Sequence, residues 1–171
     1  AAAPAEALET IVVTGSRIAR RDFESPSPVV TVPAQAFAQT GSNSIELTLN
    51  SLPQFVASAT STSNDPSNDG QANVSLRGLG TQRTLVLLDG RRVVAADGRG
   101  GVDLNLLPPA LLSSVEVVSG GASVAYGSDA IAGVVNLKLK DTFDGVALDG
   151  SWSGTERGDG EEYSLGITAG T

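Results

Sequence analysis

Between Asn73 and Lys140 the chain is a succession of short apolar runs closed by glycine turns, NVSLRGLGTQRTLVLLDGRRVV and then VDLNLLPPALLSSVEVVSGGASVAYGSDAIAGVVNLKLK. Runs this short, rich in Val and Leu and bounded by Gly, Pro and Asp, predict strands buried on both faces rather than helices. Residues 74–76, 84–88, 115–118 and 134–139 are the predicted strands. Asp89-Gly90 is a hairpin turn pair, with 91–94 as the returning strand. Gly120-Gly121 is a second turn. Upstream, Ser25-Pro26-Ser27-Pro28 is a stiff, extended entry to a strand at 29–32. Pro33 opens a helical turn to about Gln39. Ser44 is a candidate N-cap for a helix over 45–52, with Leu49 and Leu52 on the face begun by Ile45, stopped by Pro53. Pro108-Pro109 starts a short helix reaching about Ser113. The fold class is therefore α+β: a small mixed sheet with short helices. Its predicted core is Val30, Leu76, Leu85, Leu87, Leu106, Val115, Val117, Val134, Val135 and Leu137.

The residues that are missing exclude most chemistry. The chain has no Cys and no His. That removes disulfides and thiol metal sites. It also removes most zinc sites, most general bases and every Ser-His-Asp triad. Lys138 and Lys140 sit together at a strand end, with no partner pattern for nucleophilic catalysis. No enzyme, cofactor or metal site is expected. Asp65-Pro66-Ser67-Asn68-Asp69-Gly70 imitates the start of a calcium loop, but position 12 would be Leu76, where a bidentate Glu is required. Gly78-Leu79-Gly80 and Gly120-Gly121 lack the spacing and the Lys of phosphate loops and read as turn glycines. Asp89, Asp103 and Asp129 read as turn and cap residues.

Charge divides the chain. Residues 1–140 carry 12 acidic and 10 basic side chains, and residues 141–171 carry 7 and 1. A boundary after Lys140 follows. The acidic balance argues against nucleic-acid binding, which relies on neutralising phosphates. Beyond that boundary Val146, Leu148, Trp152, Tyr163, Leu165 and Ile167 alternate with small or polar residues on either side of Arg157-Gly158-Asp159-Gly160. This predicts a hairpin, either of the kind found in transmembrane barrels, with Trp152 and Tyr163 near its turn, or of an ordinary soluble sheet with one buried face. At the other end, AAAPAEA reads as a mature N-terminus left after signal cleavage. Residues 57–72 and 96–101 are small, polar loops that in compact domains tend to carry function.

Taken together, ETIVVTGSR at 9–17, SLRGLG at 75–80, TLVLLDGRRV at 84–93, VDLNLLP at 102–108, VEVVSGG at 115–121 and AYGSDAIAGVVNLKLK at 125–140 resemble the plug domain of TonB-dependent outer-membrane receptors. The resemblance implies three parts: a flexible leader at 1–24 with a TonB box at about 9–17, a plug at 25–140, and the first two barrel strands at 141–171. It implies a plug lodged inside a 22-stranded barrel, in the outer membrane of a Gram-negative bacterium and facing the periplasm. The implied function is gated, energy-coupled uptake of a scarce nutrient, such as a siderophore, cobalamin or a saccharide.

The implied partners are the C-terminal domain of TonB, the receptor's own barrel, the outer membrane through that barrel, and a ligand the sequence does not identify. Thr10, Ile11, Val12, Val13 and Thr14 are the expected TonB contact, made by strand addition to a sheet edge. Arg77 and Arg83 are the expected contacts with the barrel wall. Ser63, Asn64, Asp65, Asn68, Asp69, Asp97 and Arg99 are the expected ligand-facing residues. The family often has Arg before the glycine that follows the Glu-Val strand, and here that position is Ser119. A rearranged wall contact is expected, with Arg77 solvated or paired locally, since a buried lone cation is costly. The alternative is a stand-alone periplasmic interaction or signalling module built on the plug fold. The hairpin's apolar face, if uncovered, is expected to drive self-association.

Overall fold

The computed structural model describes residues 28–40, 44–57, 60–64, 68, 70–120, 122–154 and 161–170. The TonB-box residues Thr10 to Thr14, the leader around them, and Asp65 and Asp69 lie outside the described residues.

The apolar runs form strands β1 (Val29–Pro33), β2 (Thr84–Leu88), β3 (Arg91–Arg92), β4 (Leu112–Ser119) and β5 (Gly133–Leu139) of one mixed sheet, ordered β1-β4-β5-β2-β3. β5 is central, antiparallel to β4 and parallel to β2. β2 turns into β3 through Asp89 and Gly90, whose φ values of +48° and +75° are those of the type I′ hairpin that Asp-Gly favours.

Alternation along the strands sends side chains to two cores. On one face Val32, Val86, Val115, Val117, Val135 and Leu137 pack with helices α1 (Ala34–Gln39) and α2 (Ile45–Asn50), which contribute Phe37, Ile45 and Leu49. On the other face Val29, Leu85, Leu87, Val118 and Val134 pack against Ala122 and Ala130, on either side of helix α3 (Ser123–Tyr126). Ser44 caps α2 as expected, accepting from Leu47 N at 3.4 Å.

Several expectations are corrected. Val30 is 41% exposed and Leu106 is 76% exposed, so neither is core, whereas the other predicted core residues are buried. Val30 lies on the terminal strand of the described sheet, next to β4. Leu106 ends a one-turn 3₁₀ helix at the surface (Leu104–Leu106). Residues 74–76 make no strand, only a single bridge from Leu76 to Phe55. α2 ends at Asn50, and β3 stops at Arg92. The turn after Pro108 is a 3₁₀ helix (Pro109–Leu111), because β4 already begins at Leu112.

A separate hairpin joins β6 (Gly145–Ser153) to β7 (Glu162–Gly170). Its register sets Leu148 against Ile167 and Trp152 against Tyr163. Val146, Leu148, Trp152, Tyr163, Leu165 and Ile167 share one face and are each 69–79% exposed. Ala147, Ser164 and Thr168, on the opposite face, are more covered. Asp149, also on that face, is exposed. No helix among the described residues is long and apolar enough to cross a membrane, which leaves crossing by strands untouched.

Candidate functional site

One of the two loops expected to face a ligand, 57–72, is tied to the turn at 103–105 that follows the other. Ala72 N donates to Asp103 Oδ1 at 2.9 Å, Leu104 N donates to Ala72 O at 2.9 Å, and Asn105 Nδ2 donates to Gly70 O at 3.0 Å. Asp103 Oδ1 also accepts from Asn105 N at 3.0 Å, so one carboxylate caps its own turn and holds the neighbouring loop. Gly101 completes the contact: a Cβ there would stand 2.9 Å from Asn73 Oδ1 and 3.6 Å from Thr81 Oγ1. A side chain at Gly101 would displace the Asn73 carboxamide.

Beneath the loops lies an acid that sequence reasoning missed. Glu46, in the first turn of α2, is 0% exposed, and both its oxygens accept from Ser61 N. Burial raises its pKa above the ordinary value of 4.5; the Ser61 hydrogen bonds pull it down in part, and the Asp103 charge pushes it up further. An acid in a first helical turn normally reads as a solvated residue favoured by the helix dipole. Only the tertiary path of residues 60–64 reveals its role.

The expected ligand-facing residues divide. Asn64 and Arg99 are exposed. Ser63 is half-buried, its N–H donating to Thr60 O at 2.9 Å. Asp97 Oδ1 accepts from Arg99 N at 2.9 Å and Gly101 N at 3.4 Å, which folds residues 97–101 into a compact turn. Asn68 is buried and serves the loop itself, donating to Thr60 O and Gln71 O and accepting from Asn73 Nδ2. A cleft of about 400 Å³ runs beside β2 where β3 has ended, lined among others by Gln82, Thr84, Val86, Arg92, Arg99 and Asp129. Across its mouth Arg92 Nη1 pairs with Asp129 Oδ2 at 2.5 Å.

Arg77 and Arg83 each bond to the segment that leads into β5, at Ile131 and Ala132. Arg77 is exposed with φ +55°, and its Nη2 donates to Ile131 O at 3.2 Å. Its guanidinium lies beside Gly120, directly after Ser119. Arg83 Nη1 donates to Leu79 O at 3.0 Å, and its carbonyl accepts from Ala132 N at 2.9 Å. Both guanidinium groups are thus held by main-chain carbonyls and present their remaining donors to solvent. Asp89 and Asp103 act in a turn and a cap, as read from sequence, whereas Asp129 forms the ion pair with Arg92. Among the described residues no three His, Cys, Asp or Glu side chains are placed to share a metal ion. What the site offers chemically is hydrogen-bonding and charged loop surface on a rigid sheet.

The sequence model of the TonB-dependent Receptor Plug Domain matches residues 21–134. Among solved structures, a variant of the ferric enterobactin receptor from Pseudomonas aeruginosa, in complex with enterobactin, is 25% identical with a TM-score of 0.59 over 84% of this chain and 22% of that one. The ferric citrate transporter in its unliganded form is 26% identical with a TM-score of 0.59, over 75% of this chain and 20% of that one. The siderophore receptor PirA from Acinetobacter baumannii, at 24% identity and TM-score 0.61 over 81% of this chain and 21% of that one, shares the fold. The chain spans about a fifth of the length of the receptors it matches.

Proposed function

Because the chain belongs to the TonB-dependent receptor plug domain family, we propose that it is the gate of a receptor that takes up a scarce nutrient with energy delivered through TonB. Receptors of this family are outer-membrane proteins of Gram-negative bacteria with the plug inside the barrel, and this chain is placed there with them. The observation that carries the gating reading is loop 57–72, tied through Asp103 and Asn105 to the turn at 103–105 and through Ser61 to buried Glu46. A ligand touching this loop is mechanically connected to α2 and, through the core, to the sheet.

In this reading residues 25–140 are the plug and 141–171 the first two barrel strands. The remaining strands of the barrel belong to a longer receptor. Thr10 to Thr14 bind TonB by strand addition, Arg77 and Arg83 face the barrel wall, and Asn64, Asp97 and Arg99 lie toward the ligand. The solved neighbours make an iron chelate the first candidate substrate. No specific observation favours the free periplasmic module.

Val12→Pro tests the energy-coupling step. Proline removes a main-chain donor and fixes φ, so binding of the purified TonB C-terminal domain should be lost while melting is unchanged. A drop of several kcal/mol in stability would instead make residues 9–17 a core strand. For the substrate, the whole receptor titrated with ferric chelates, cobalamin and oligosaccharides should respond to a ferric chelate; a response to another class alone would overturn that choice.

A further inference from the structure

β3 covers only part of the outer flank of β2. Leu88 pairs with Arg91 and Leu87 with Arg92, and the pairing ends there. In the same register the next partners are Val86 with Val93 and Leu85 with Val94. Arg83 O accepts from Ala132 N, and Asp89 N donates to Leu137 O, both on the side of β5. Main-chain groups alternate in direction along a strand, so Val86 turns its N–H and C=O to the side of β3. Where the pairing ends lies the cleft of about 400 Å³, lined by Thr84, Leu85 and Val86 of β2 and by Arg92, Val93 and Ala95 of the returning run. It is the unzipped part of this hairpin.

Val93 already packs on the core that buries Val86. Val94 does not follow it and is 86% exposed, although valine favours strands and its register place is beside Leu85. Thr84 N is taken by Thr81 O, so the register has two more places, for Val93 and Val94. One contact stands in the way. Arg92, opposite Leu87, lies on the face of Leu85, and Val94 in register would share that face. There Arg92 reaches across the cleft to Asp129, both side chains being about half exposed. An exposed ion pair contributes little, so this catch is weak. The same run leads into the turn at 96–101, which Ala96 N closes by donating to Gly101 O at 2.7 Å. A shift of Val94 reaches that turn through Ala95 alone.

We propose that β3 has two lengths. In the second, the Arg92–Asp129 pair is open, Val93 and Val94 join the ladder on β2, the cleft closes, and the Ala96 end of the turn is drawn toward the sheet. What is gained and what is lost are both small, so the two states lie close in free energy and are easily exchanged. The bearing of this movement on uptake rests on the reading of 96–101 as ligand-facing. The movement itself does not, and its test needs no ligand.

The chain has no cysteine, so Leu85→Cys combined with Val94→Cys offers a single disulfide. In the longer β3 these two positions form a non-hydrogen-bonded pair with Cα atoms about 4.5 Å apart, within the range a disulfide accepts. Oxidised at low concentration in detergent, the whole chain should close this bond within one molecule. Adding Asp129→Asn should speed closure about two- to fivefold, the equivalent of one exposed ion pair. No closure in a double variant that melts cooperatively, or cross-linked pairs of chains only, refutes the second length. A rate unchanged by Asp129→Asn refutes the catch. Leu85 is buried, and where its replacement prevents folding the Asp129→Asn chain is read by NMR instead. A contact between the α-protons of Leu85 and Val94 should then appear beside that of Leu87 and Arg92, and its absence refutes the second length. Closure should also move the amide resonances of residues 96–101 and leave those of β4 in place. Unmoved turn resonances refute the link between strand and turn.

Discussion

Glu46 on α2 accepts the main-chain N–H of Ser61 on both carboxylate oxygens, at 3.3 and 3.1 Å. The contact spans from the helix to the loop that runs on to Asp103's partner Ala72, so one buried acid fixes the root of the proposed ligand surface.

Burial is the largest influence on Glu46 and raises its folded-state pKa above 4.5. A raised acid contributes stability that is fully present below its unfolded pKa and is lost as pH rises through the folded pKa. The chain should therefore lose stability as pH climbs from about 4 through the range above the ordinary Glu value. Glu46→Gln, which keeps an acceptor for Ser61 without the charge, should flatten that slope. Glu46→Leu should cost about 1–3 kcal/mol at pH 5 by leaving the Ser61 N–H without its acceptor. Denaturant melts across pH check both, and an unaltered slope in Glu46→Gln would assign the pH dependence to another group.

Leu87 is 1% exposed and Leu106 is 76% exposed. Leu87→Ala should cost about 2–5 kcal/mol by opening a cavity. Leu106→Ala should change stability by less than about 0.5 kcal/mol. Equal effects in thermal melts would contradict the burial assignment.

Gly133 begins β5 with φ +145°, and a Cβ there would stand 2.1 Å from Val118 O and 2.8 Å from Leu76 Cδ1. The strained backbone alone costs of order 1–3 kcal/mol for a non-glycine residue, and the clash with a main-chain oxygen adds to it. Gly133→Ala should therefore destabilise by about 3 kcal/mol or more. Near-native melting of this variant would show that the β4–β5 register is not as described.

The hairpin's exposed apolar face should make the chain associate in water. Removing residues 141–171 should give a monomer of higher solubility, as light scattering on the two forms will show. A clean monomer of the whole chain with a protected hairpin would remove the expected consequence of the barrel-strand reading.

The four main strands, the Asp-Gly hairpin and the Ser44 cap were legible because each is written in neighbouring residues. Local pattern does not carry position within a sheet. Val30 and Val32 look alike in sequence, yet Val30 stays half open on the terminal strand while Val32 is covered by α1. Loop 57–72 read only as a small, polar loop, but Ala72 and Asn68 are buried because Asp103 and Gln71 satisfy polar groups from far along the chain or within the loop. Asn136, buried between Glu116 and Gly90 N, was equally invisible. Its partners come from β4 and the β2–β3 turn, and only the antiparallel register of β4 with β5 and the parallel one of β2 with β5 bring them together. Arg77 and Arg83 were found by motif. Their separate bonds to Ile131 and Ala132 depend on tertiary pairing that the motif does not carry.

That pairing has a kinetic consequence. β5 is the central strand of the sheet and also its last in the chain. Until Gly133 to Leu139 arrive, the β1–β4 ribbon and the β2–β3 hairpin have no ladder in common. Pairings between distant residues, such as Val29 with Val118, are slow to form. A chain delivered N-terminus first therefore remains an open, threadable polymer over most of its length, and the sheet zips shut only when the final central strand is in hand.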